Sequence, residues 1–578
     1  MLSKCPTITV GSVVLTAFYE PVRRVFPWPV FLLLVSAVIP LLAAAPNVAA
    51  VGNAASNLTF NSPIAQGAIF VIYGTGLGPD AISISSTPFK STTLSGTSVA
   101  VTVGTTTVNA LMYYTSATQV AALLPSNTPT GSGTFTVTYN GQTSNSISHG
   151  IAPSNVGIFT IDSSGQGPAI VTYPDFSLVS AAKGANCGGP NTFCGAANPG
   201  DVLILWTTGL GPVSGDDALG AGLGQNMPNV PLTVWLGGVQ APVTYQGRSG
   251  CCIGEDQIVF TVPNNVPTGC AVPLVVQIGA TTNTVSNTTL MPVAKGGRDC
   301  TPTNPVLASV NVEQAVMAGP VAYGAIELNH ELNGAAPPVF QDTARFEFFK
   351  ILSLKPGRQP FFATWIDDQP PGTCRAYNNN LFGGGGTDPT GTVTLLDAGS
   401  SFTVKGPNGS VPITGNPGEF SATLSGTGSF LVPGSYTVTG SGGADVGPFS
   451  ATITVPRLPT LASPANNTTV TRSDGLTVTW TGGDPAGNVQ ILVNSALNNS
   501  FNAGGTATCI APAGAGKFTI PPYVLLALPA GNLAGIVLAP ADTGVPFTAP
   551  GLSLGLLSTH NDGAGYGLGA GTGGFTLR

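Results

Sequence analysis

The chain contains 578 residues, which is long enough for several domains rather than one core. Only 7% of its residues are Asp, Glu, Lys or Arg, against about 25% in ordinary soluble proteins. The net charge of −7 is thinly spread and no basic stripe is present, so the footprint of nucleic-acid binding is missing and no nucleic-acid partner is expected. The 77 Gly and 50 Pro residues between short Val/Thr segments predict an all-β protein.

Residues 1–50 have the pattern of a secretory signal. Two arginines precede the apolar run Val30 to Ala45, and small residues follow it. These are the features of an export signal, so we expect cleavage after Ala45 or Ala50. The run is short for a membrane span and Pro40 interrupts it. We therefore expect a bacterial protein that is secreted, periplasmic or at the cell surface, with no span left after signal removal; retention of the segment as an anchor is the alternative.

The chain then repeats one unit at an offset of 133 residues. Gly67–Pro79 aligns with Gly200–Pro212, and both segments end in TGLGP after an apolar strand. The alignment continues downstream, where QVAALLP matches QIVFTVP from Gln257. A unit of about 80 to 100 residues with short strands and regular turns is typical of a β-sandwich. The repeat predicts two sandwiches, at 51–155 and 156–296.

The two glycine-rich turns raise the question of a nucleotide site. A dinucleotide fingerprint needs a helix after the glycines, but a proline follows each turn and no helical periodicity comes after it. No Gly-Lys-Ser or Gly-Lys-Thr sequence appears, so no lysine of that motif would reach a phosphate. We therefore interpret Gly76 and Gly209 as turn residues with positive φ, and expect Leu77 and Leu210 to fold back into the two cores. No cofactor is expected.

A strand followed by GTGLG resembles the opening of IPT/TIG immunoglobulin-like domains. The longer pattern includes ALMYYTSATQVAALLP and NVGIFTIDSSGQGPA between the two turns. Over about residues 60–295 it resembles the Solibacter-type C-terminal domain family of secreted acidobacterial proteins. The resemblance implies tandem immunoglobulin-like β-sandwiches and an exported protein, and it implies no activity. One segment departs from the pattern, because CCIGED before Gln257 has no counterpart before Gln119.

The pattern changes after a linker at 297–305. We predict a mixed or β-sandwich domain over 306–458 and a further sandwich over 459–578. In the first of these, TARFEFFKILSL from Thr343 suits either a strand or a short helix, because periodicity does not decide between them. Segments such as TWTGGDPAGNV resemble later domains of other secreted acidobacterial proteins without known function.

Two aromatic residues of the second half are predicted to be structural. LVPGSYTV resembles the turn into strand F of immunoglobulin-like folds, where the Tyr436 hydroxyl would cap a corner. Trp480 lies in LTVTWTGG and is expected in the core of the last sandwich. PPYVLLALP predicts one or two helical turns between strands, with Pro521 or Pro522 at the start.

Eight cysteines follow residue 50, and in an exported chain they are expected to form disulfides. Cys187 and Cys194 bracket the short, Gly-rich segment CGGPNTFC and are predicted to pair. The adjacent cysteines at 251 and 252 are candidates to pair with Cys270 or Cys300. Spacing leaves open the connectivity of Cys251, Cys252, Cys270, Cys300, Cys374 and Cys509.

Candidate catalytic and metal-binding residues do not cluster in the sequence. His149, His330 and His560 fall in three predicted domains without metal-ligand spacing. GLSLG around Ser553 matches a nucleophile-elbow pattern, but it lies in a strand-like apolar run. Adjacent carboxylates on a strand point to opposite faces, so the acid pairs are interpreted as solvated turns. These pairs are Asp216–Asp217, Glu255–Asp256 and Asp367–Asp368. No catalytic or metal site is predicted.

The sequence thus favours a secreted or cell-surface protein that is not an enzyme and acts in adhesion, binding or spacing. Its partner would be an extracellular glycan or a protein, and its oligomeric state is not predicted. The alternative is an extracellular hydrolase-associated protein with a glycan-binding or catalytic part in residues 305–460.

The signal pattern generates the first testable prediction. Mass analysis of the exported protein should place its first residue near 46 or 51, because cleavage follows small residues after the apolar run. Recovery of the intact chain from the cytoplasm would contradict the assignment.

Overall fold

The fold is all-β, with tandem immunoglobulin-like β-sandwiches, and the helices of the described residues are single short turns. The computed structural model describes residues 45–59, 62–161, 163–181, 183–184, 186–190, 192–220, 223–279, 284–303, 320–332, 339–351, 368–379, 393–497, 504–541, 544–561, 563–566 and 574–578. The predicted signal run and the acid Asp367 lie outside these residues. No helix among the described residues is both long enough and apolar enough to cross a bilayer.

Two sheets enclose the core of the first sandwich. The first sheet contains, in spatial order, Asn47–Asn53, Ile69–Thr75, Gln119–Leu123, Leu111–Thr115 and Ser83–Ile84. The second contains Ile64–Ala65, Ile147–Ala152, Gly131–Tyr139, Thr97–Val103 and Thr93–Leu94, with Gln142–Thr143 and Thr106–Asn109 paired alongside. Alternate residues of these strands face inward, and Phe70 meets Phe135 edge to face across the core.

The second sandwich repeats this arrangement around its own core. One sheet contains Gly157–Ile158, Val202–Thr208, Asp256–Thr261 and Val243–Arg248, with Val171–Thr172 alongside. The other contains Val239–Ala241, Leu232–Leu236, Gly269–Ile278 and Thr284–Val285, with Thr289–Val293 alongside. A three-residue 3-10 helix, Asp217–Leu219, lies in the connection between the two sheets.

Strand register shows where the two repeats differ. The core strands Ile69–Thr75 and Val202–Thr208 correspond at the offset of 133 residues. Their partners do not, because Ile72 pairs with Val120 whereas Leu205 pairs with Ile258, an offset of 138. The net gain is therefore five residues. The hairpin just before the partner strand is itself longer by seven, since Thr115 pairs with Val120 whereas Gln246 pairs with Ile258, and CCIGED lies in this hairpin.

The glycine-rich turns leave equivalent core strands, and both bury the leucine that follows. Gly76 has φ +65° and Gly209 has φ +99°. Leu77 and Leu210 are fully buried in their respective cores, together with Ile72 and Leu205 on the preceding strands. Positive φ favours glycine, which explains the residue type at this corner.

Four further sheets make up the second half of the chain. The first contains Val393–Leu395, Phe340–Ile351, Val321–Leu332, Leu554–Asn561 and Gly544–Phe547, with Glu419–Ser425 alongside. A four-stranded sheet of Gly409–Thr414, Ser401–Gly406, Gly434–Gly440 and Phe449–Val455 packs with it around one core. The segment at Thr343 is therefore a strand, with Phe346 and Phe348 buried on its inner face.

The remaining two sheets share the last core. One contains Cys374–Asn379, Gly504–Pro512, Asn488–Ala496, Gly531–Pro540, Phe575–Leu577 and Thr469–Val470, with Ala564–Tyr566 alongside. The other contains Pro459–Ser463, Leu476–Gly482 and Lys517–Ile520. The helical pieces are the α-helix Pro522–Leu526 and the 3-10 helices Arg472–Asp474 and Ala513–Ala515.

Strand pairing crosses the boundary predicted between residues 458 and 459. Leu554–Asn561 runs parallel to Val321–Leu332, and Cys374–Asn379 pairs with Gly504–Pro512. The two halves of this region are thus interleaved, because two of the four sheets take strands from both sides of that position. Sequence proximity does not reveal such pairing, since a parallel partner requires a long connection.

Both aromatic residues singled out in the second half are buried. The Tyr436 hydroxyl donates to the carbonyl of Phe430 at 2.7 Å and accepts from the amide of Val432 at 2.8 Å. It therefore ties the preceding turn to its own strand. The Trp480 indole N–H donates to the carbonyl of Ala513 at 2.8 Å, so its polar edge is satisfied within the core.

The two turn glycines supply a matched pair of substitutions. An added Cβ at Gly76 would meet nothing nearer than Pro46 Cα at 3.8 Å, whereas at Gly209 it would lie 2.3 Å from the Asn155 carbonyl oxygen. We expect Gly76→Ala to lower the free energy of unfolding by about 1 to 2 kcal/mol through φ alone. Gly209→Ala should cost more, at least about 3 kcal/mol, because backbone must also move. Chemical denaturation of both variants measures the difference, and equal losses would refute this account.

Candidate functional site

The inserted residues of the second repeat form the joint between the first two sandwiches. The segment connects Val243–Arg248 with Asp256–Thr261 and folds toward the first sandwich. Ile253 is buried in a cluster with Leu111 and Leu123 of that sandwich. Its carbonyl also accepts a hydrogen bond from the Tyr113 hydroxyl. The insertion therefore contributes both apolar and polar contacts across the joint.

Arg248 lies at the centre of the joint and is 1% exposed. Its Nη1 donates to the Gly67 carbonyl of the first sandwich at 2.8 Å, and its Nη2 donates to the Gly211 carbonyl at 2.9 Å. Nη1 also lies 3.2 Å from Oδ1 of Asp256, a carboxylate with no exposed surface. Burial of a guanidinium is costly unless its charge and its N–H groups find partners. The contacts with both sandwiches supply partners for Nη1 and Nη2, whereas Nε is buried without a hydrogen-bond partner.

Asp256 connects this ion pair to the second TGLGP turn. Its Oδ2 accepts from the Leu210 amide at 2.8 Å. Thr208, at the end of the same core strand, donates to the Gly254 carbonyl at 2.7 Å and accepts from the Ile69 amide at 2.9 Å. The turn that resembled a phosphate loop is therefore occupied by the protein's own carboxylate and insertion.

A second buried carboxylate crosses the joint beside the first. Asp217 Oδ2 accepts from the Ser126 amide at 2.7 Å, and its Oδ1 accepts from the Ser126 hydroxyl at 3.1 Å. The Ser126 hydroxyl in turn accepts from the Val213 amide at 3.1 Å. The interpretation of the acid pairs as solvated turns is wrong for Asp217 and Asp256, which are both buried. Interdomain packing removes them from water, and sequence spacing alone gave no sign of it.

The two acids that end the insertion have perturbed affinities for protons. Burial raises the pKa of Asp256 to about 6, although Arg248 and the turn amides oppose the rise. Burial also raises the pKa of Glu255 to about 7, and the neighbouring charge of Asp256 adds to it. Removal of a carboxylate from water favours its neutral form. The joint thus contains two acids that titrate near neutral pH.

All eight cysteines that follow residue 50 are paired in the structure. Cys187 and Cys194 are linked, with Cα atoms 4.8 Å apart. The expectation that Cys251 or Cys252 pairs with Cys270 or Cys300 is wrong, because the adjacent cysteines join each other and the other two join across 30 residues. Their position on the joint insertion keeps them away from the strand that carries Cys270. The fourth pair is Cys374–Cys509.

A second candidate site lies in the interleaved half, where two histidines line one cleft. Strand Leu554–Asn561 runs parallel to Val321–Leu332 and brings His560 beside Asn329. His330 and His560 both line one shallow, narrow cleft, together with Thr559. Histidines predicted to lie in separate domains are therefore neighbours. His149 is not part of this cleft, since its Nε2 lies 2.9 Å from the Ser62 carbonyl in the first sandwich.

The His330 ring is held in one orientation. Its Nδ1 lies 2.6 Å from Oδ1 of Asp342, its direct cross-strand partner. Asp342 Oδ2 accepts from the amides of Phe430 and Leu431 at 2.6 and 2.9 Å. The ring also stacks on Phe340 at 4.4 Å. The contact with Asp342 uses Nδ1 and does not involve Nε2. An imidazole that a carboxylate orients in this way can serve as a base or as a metal ligand.

Ser553 does not share that site. Its hydroxyl accepts from the Ala322 amide at 3.2 Å, and its own amide donates to the Ala322 carbonyl at 2.8 Å. It begins the pairing of Leu554–Asn561 with the neighbouring strand, so its contacts are those of a sheet residue.

One signal of the joint between the first two sandwiches was visible in the sequence: CCIGED interrupts the repeat and contains two charged residues in a chain with very few.

Comparisons with known proteins find no matching family model and no matching curated protein. Among solved structures, SGBP-B of the Bacteroides ovatus mixed-linkage glucan utilization locus is 13% identical, with a TM-score of 0.16, over 83% of this chain and 97% of that one. Titin domains A168–A170 are 11% identical, with a TM-score of 0.12, over 69% and 93%. Sidekick-1 immunoglobulin domains 1–5 are 11% identical, with a TM-score of 0.11, over 89% and 100%. Scores this low carry no information about a ligand site in this chain.

The ion pair at the joint can be tested by removal of one partner. Arg248→Met should lower the free energy of unfolding by about 3 to 5 kcal/mol, because Asp256 is left buried without its cation. The double variant Arg248→Met/Asp256→Asn should recover part of the loss, since no uncompensated charge remains. Denaturant titration measures the free energy of unfolding of each variant. A loss in the double variant that exceeds the sum of the losses in the two single variants would contradict the pairing.

The raised acid pKa values predict how stability depends on pH. The folded protein retains protons on Glu255 and Asp256 that the unfolded chain releases at lower pH, so the free energy of unfolding should fall as pH rises from about 5 through 7. Arg248, Tyr113 and Tyr245 are the other ionisable groups of the described residues that face these acids. Glu255→Gln should remove about 1 to 3 kcal/mol of this decline. Denaturation of both proteins across this range is the measurement, and parallel profiles would contradict it.

Proposed function

We propose that this protein is a secreted or cell-surface β-sandwich protein that acts in adhesion, binding or spacing, and that its first two sandwiches work as one rigid segment. The observation that carries the proposal is the buried joint around Arg248, which joins groups of both sandwiches through one cation. A spacer or display element needs fixed geometry between its domains, and this joint supplies it.

The physical case rests on the contrast with ordinary domain contacts. Interfaces between domains of one chain are usually modest and polar, so relative motion is the default. Here the contact includes Ile253 in an apolar cluster and Asp217 and Arg248 with their partners in the other sandwich. Opening the joint would expose that apolar surface and leave charged groups without partners. Both terms favour the closed arrangement.

Export and family membership belong to the same proposal. Four disulfides suit an oxidising compartment outside the cytoplasm. The paired sandwiches with equivalent glycine turns support assignment of residues 51–155 and 156–296 to the Solibacter-type immunoglobulin-like family. We propose two further sandwiches after residue 305 that exchange strands with each other.

Limited proteolysis of the exported full chain tests the rigid segment. We expect no early cut between residues 152 and 156, where the chain passes from the first sandwich to the second, because Asn155 donates to the Ser62 hydroxyl and the Pro63 carbonyl at 2.9 and 2.6 Å. Arg248→Met should make this connection cleavable at a protease concentration to which the wild-type protein is resistant. Early cleavage of wild type there would overturn the rigid segment.

Binding is tested separately with the same full chain. A glycan array and a pull-down from extracellular matrix or envelope fractions should reveal a glycan or protein partner without turnover of any bound polysaccharide. If the chain retains neither a glycan nor an envelope protein, the binding role is excluded and only the spacer role is left.

The cleft at His330 favours a second candidate, a hydrolase-associated role for residues 305–460. An imidazole fixed by Asp342 beside a cleft is the arrangement expected of a general base. Under this alternative, the full chain would hydrolyse an extracellular polymer, and His330→Gln would abolish turnover. His149→Gln is the matched control, because that ring contacts only the first sandwich. Turnover that survives His330→Gln would exclude the cleft as its source.

A further inference from the structure

We propose that Cys251, Cys252 and Glu255 form a redox-gated metal site, which takes a thiophilic divalent cation such as Zn²⁺ when the two cysteines are reduced. The site lies on the insertion at the joint, where Ile253 also contributes to the contact between the first two sandwiches. It requires neither of the functions proposed above.

The geometry of the donors supports the site. One sulfur from each cysteine and one Glu255 carboxylate oxygen lie within 4.8 Å of one another. Zn²⁺ binds thiolate sulfur at about 2.3 Å and carboxylate oxygen at about 2.0 to 2.2 Å, so small shifts bring all three donors onto one ion. Cys251 is partly exposed whereas Cys252 is buried. Water can therefore reach a fourth position from the side of Cys251.

The loop that carries the donors is held at both ends. Arg248 and Asp256 pair at its base, and Ile253 is anchored in the apolar cluster against the first sandwich. Within the loop, the Cys252 amide donates to the Ser249 hydroxyl at 3.4 Å. A preorganised loop lowers the cost of ordering its ligands around an ion. Among the described residues, no other group of three or more His, Cys, Asp or Glu side chains lies so close together.

A purely stabilising disulfide explains this pair poorly. Disulfides stabilise mainly by closing a loop of chain, and the benefit grows with loop length. Cys374–Cys509 closes 135 residues and Cys270–Cys300 closes 30, whereas Cys251–Cys252 closes none. The adjacent pair therefore contributes little by this route, and its proximity to a carboxylate requires another explanation.

The gating chemistry balances with a dithiol as the reductant. While the sulfurs of Cys251 and Cys252 are bonded to each other, neither is a thiolate and neither binds Zn²⁺. A dithiol supplies two electrons and two protons, so this S–S bond breaks, two thiols form, and the dithiol becomes a cyclic disulfide. Zn²⁺ then displaces the two thiol protons and forms two Zn–S bonds.

The experiment uses the exported full chain, reduced with a dithiol and desalted under argon. Zn²⁺ is titrated against a chromophoric chelator. We expect reduced wild type to take up one equivalent more than oxidised wild type. Cys251→Ser should lose that equivalent, and Glu255→Gln should weaken it. Two matched controls, Cys187→Ser/Cys194→Ser and Cys270→Ser/Cys300→Ser, should retain it, because each removes a different partly exposed disulfide.

A second measurement requires no variant. Reduced wild type is alkylated with and without Zn²⁺, and the modified cysteines are mapped by mass spectrometry. Protection of Cys251 and Cys252 by Zn²⁺ supports the site. Equal alkylation of these two cysteines in both samples, or uptake by Cys251→Ser equal to that of wild type, would overturn it, since the metal would then be held by other thiols or by none.

Discussion

The arrangement of the first two sandwiches depends on the burial of one positive charge. Arg248 is almost fully removed from water, and burial of a guanidinium is costly unless its charge and its N–H groups find partners. No single sandwich supplies the partners that Arg248 has. They are the Gly67 carbonyl of the first sandwich and the Gly211 carbonyl and Asp256 carboxylate of the second. The hydrogen bonds and the ion pair of Arg248 therefore fix the position of one sandwich against the other.

The same requirement explains the glycines around it. An added Cβ at Gly67 would lie 2.7 Å from Nη2 of Arg248, so the backbone can approach the guanidinium only because that atom is missing. Gly209 is limited in the same way by the Asn155 carbonyl. The second of the two turns that resemble nucleotide-binding loops is thus packed against backbone of the first sandwich at Gly209, with no phosphate required.

The sequence predicts much of this fold and little of its joint. The repeat at 133 residues locates both core strands and the turn that follows each of them. The positive φ of Gly76 follows from residue type, as does the burial of Leu77. What sequence spacing cannot show is which polar groups leave water when two domains meet. Asp217 and Asp256 read as surface acids until the packing of the other sandwich is known.

The second half was harder for a related reason. Its cores are built from strands distant in sequence, and parallel pairing provides no turn signal to identify partners. His330 and His560 share a cleft only because Leu554–Asn561 returns beside Val321–Leu332. Local patterns predicted the corner at Tyr436 but left the segment at Phe346 open between a strand and a short helix. They contained no information about the order of strands in a sheet.

The returning strand has a consequence for how the protein forms during synthesis. Ala322 and Ser553 exchange hydrogen bonds across 231 positions, so the sheet that begins at residue 321 cannot close until nearly the whole chain has emerged. Long-range closure of this kind slows folding. Chains exported in an unfolded state would benefit from such a delay, because the second half of the molecule stays unfolded until its last strands have been synthesised. The order of the strands along the chain therefore delays the folding of this half.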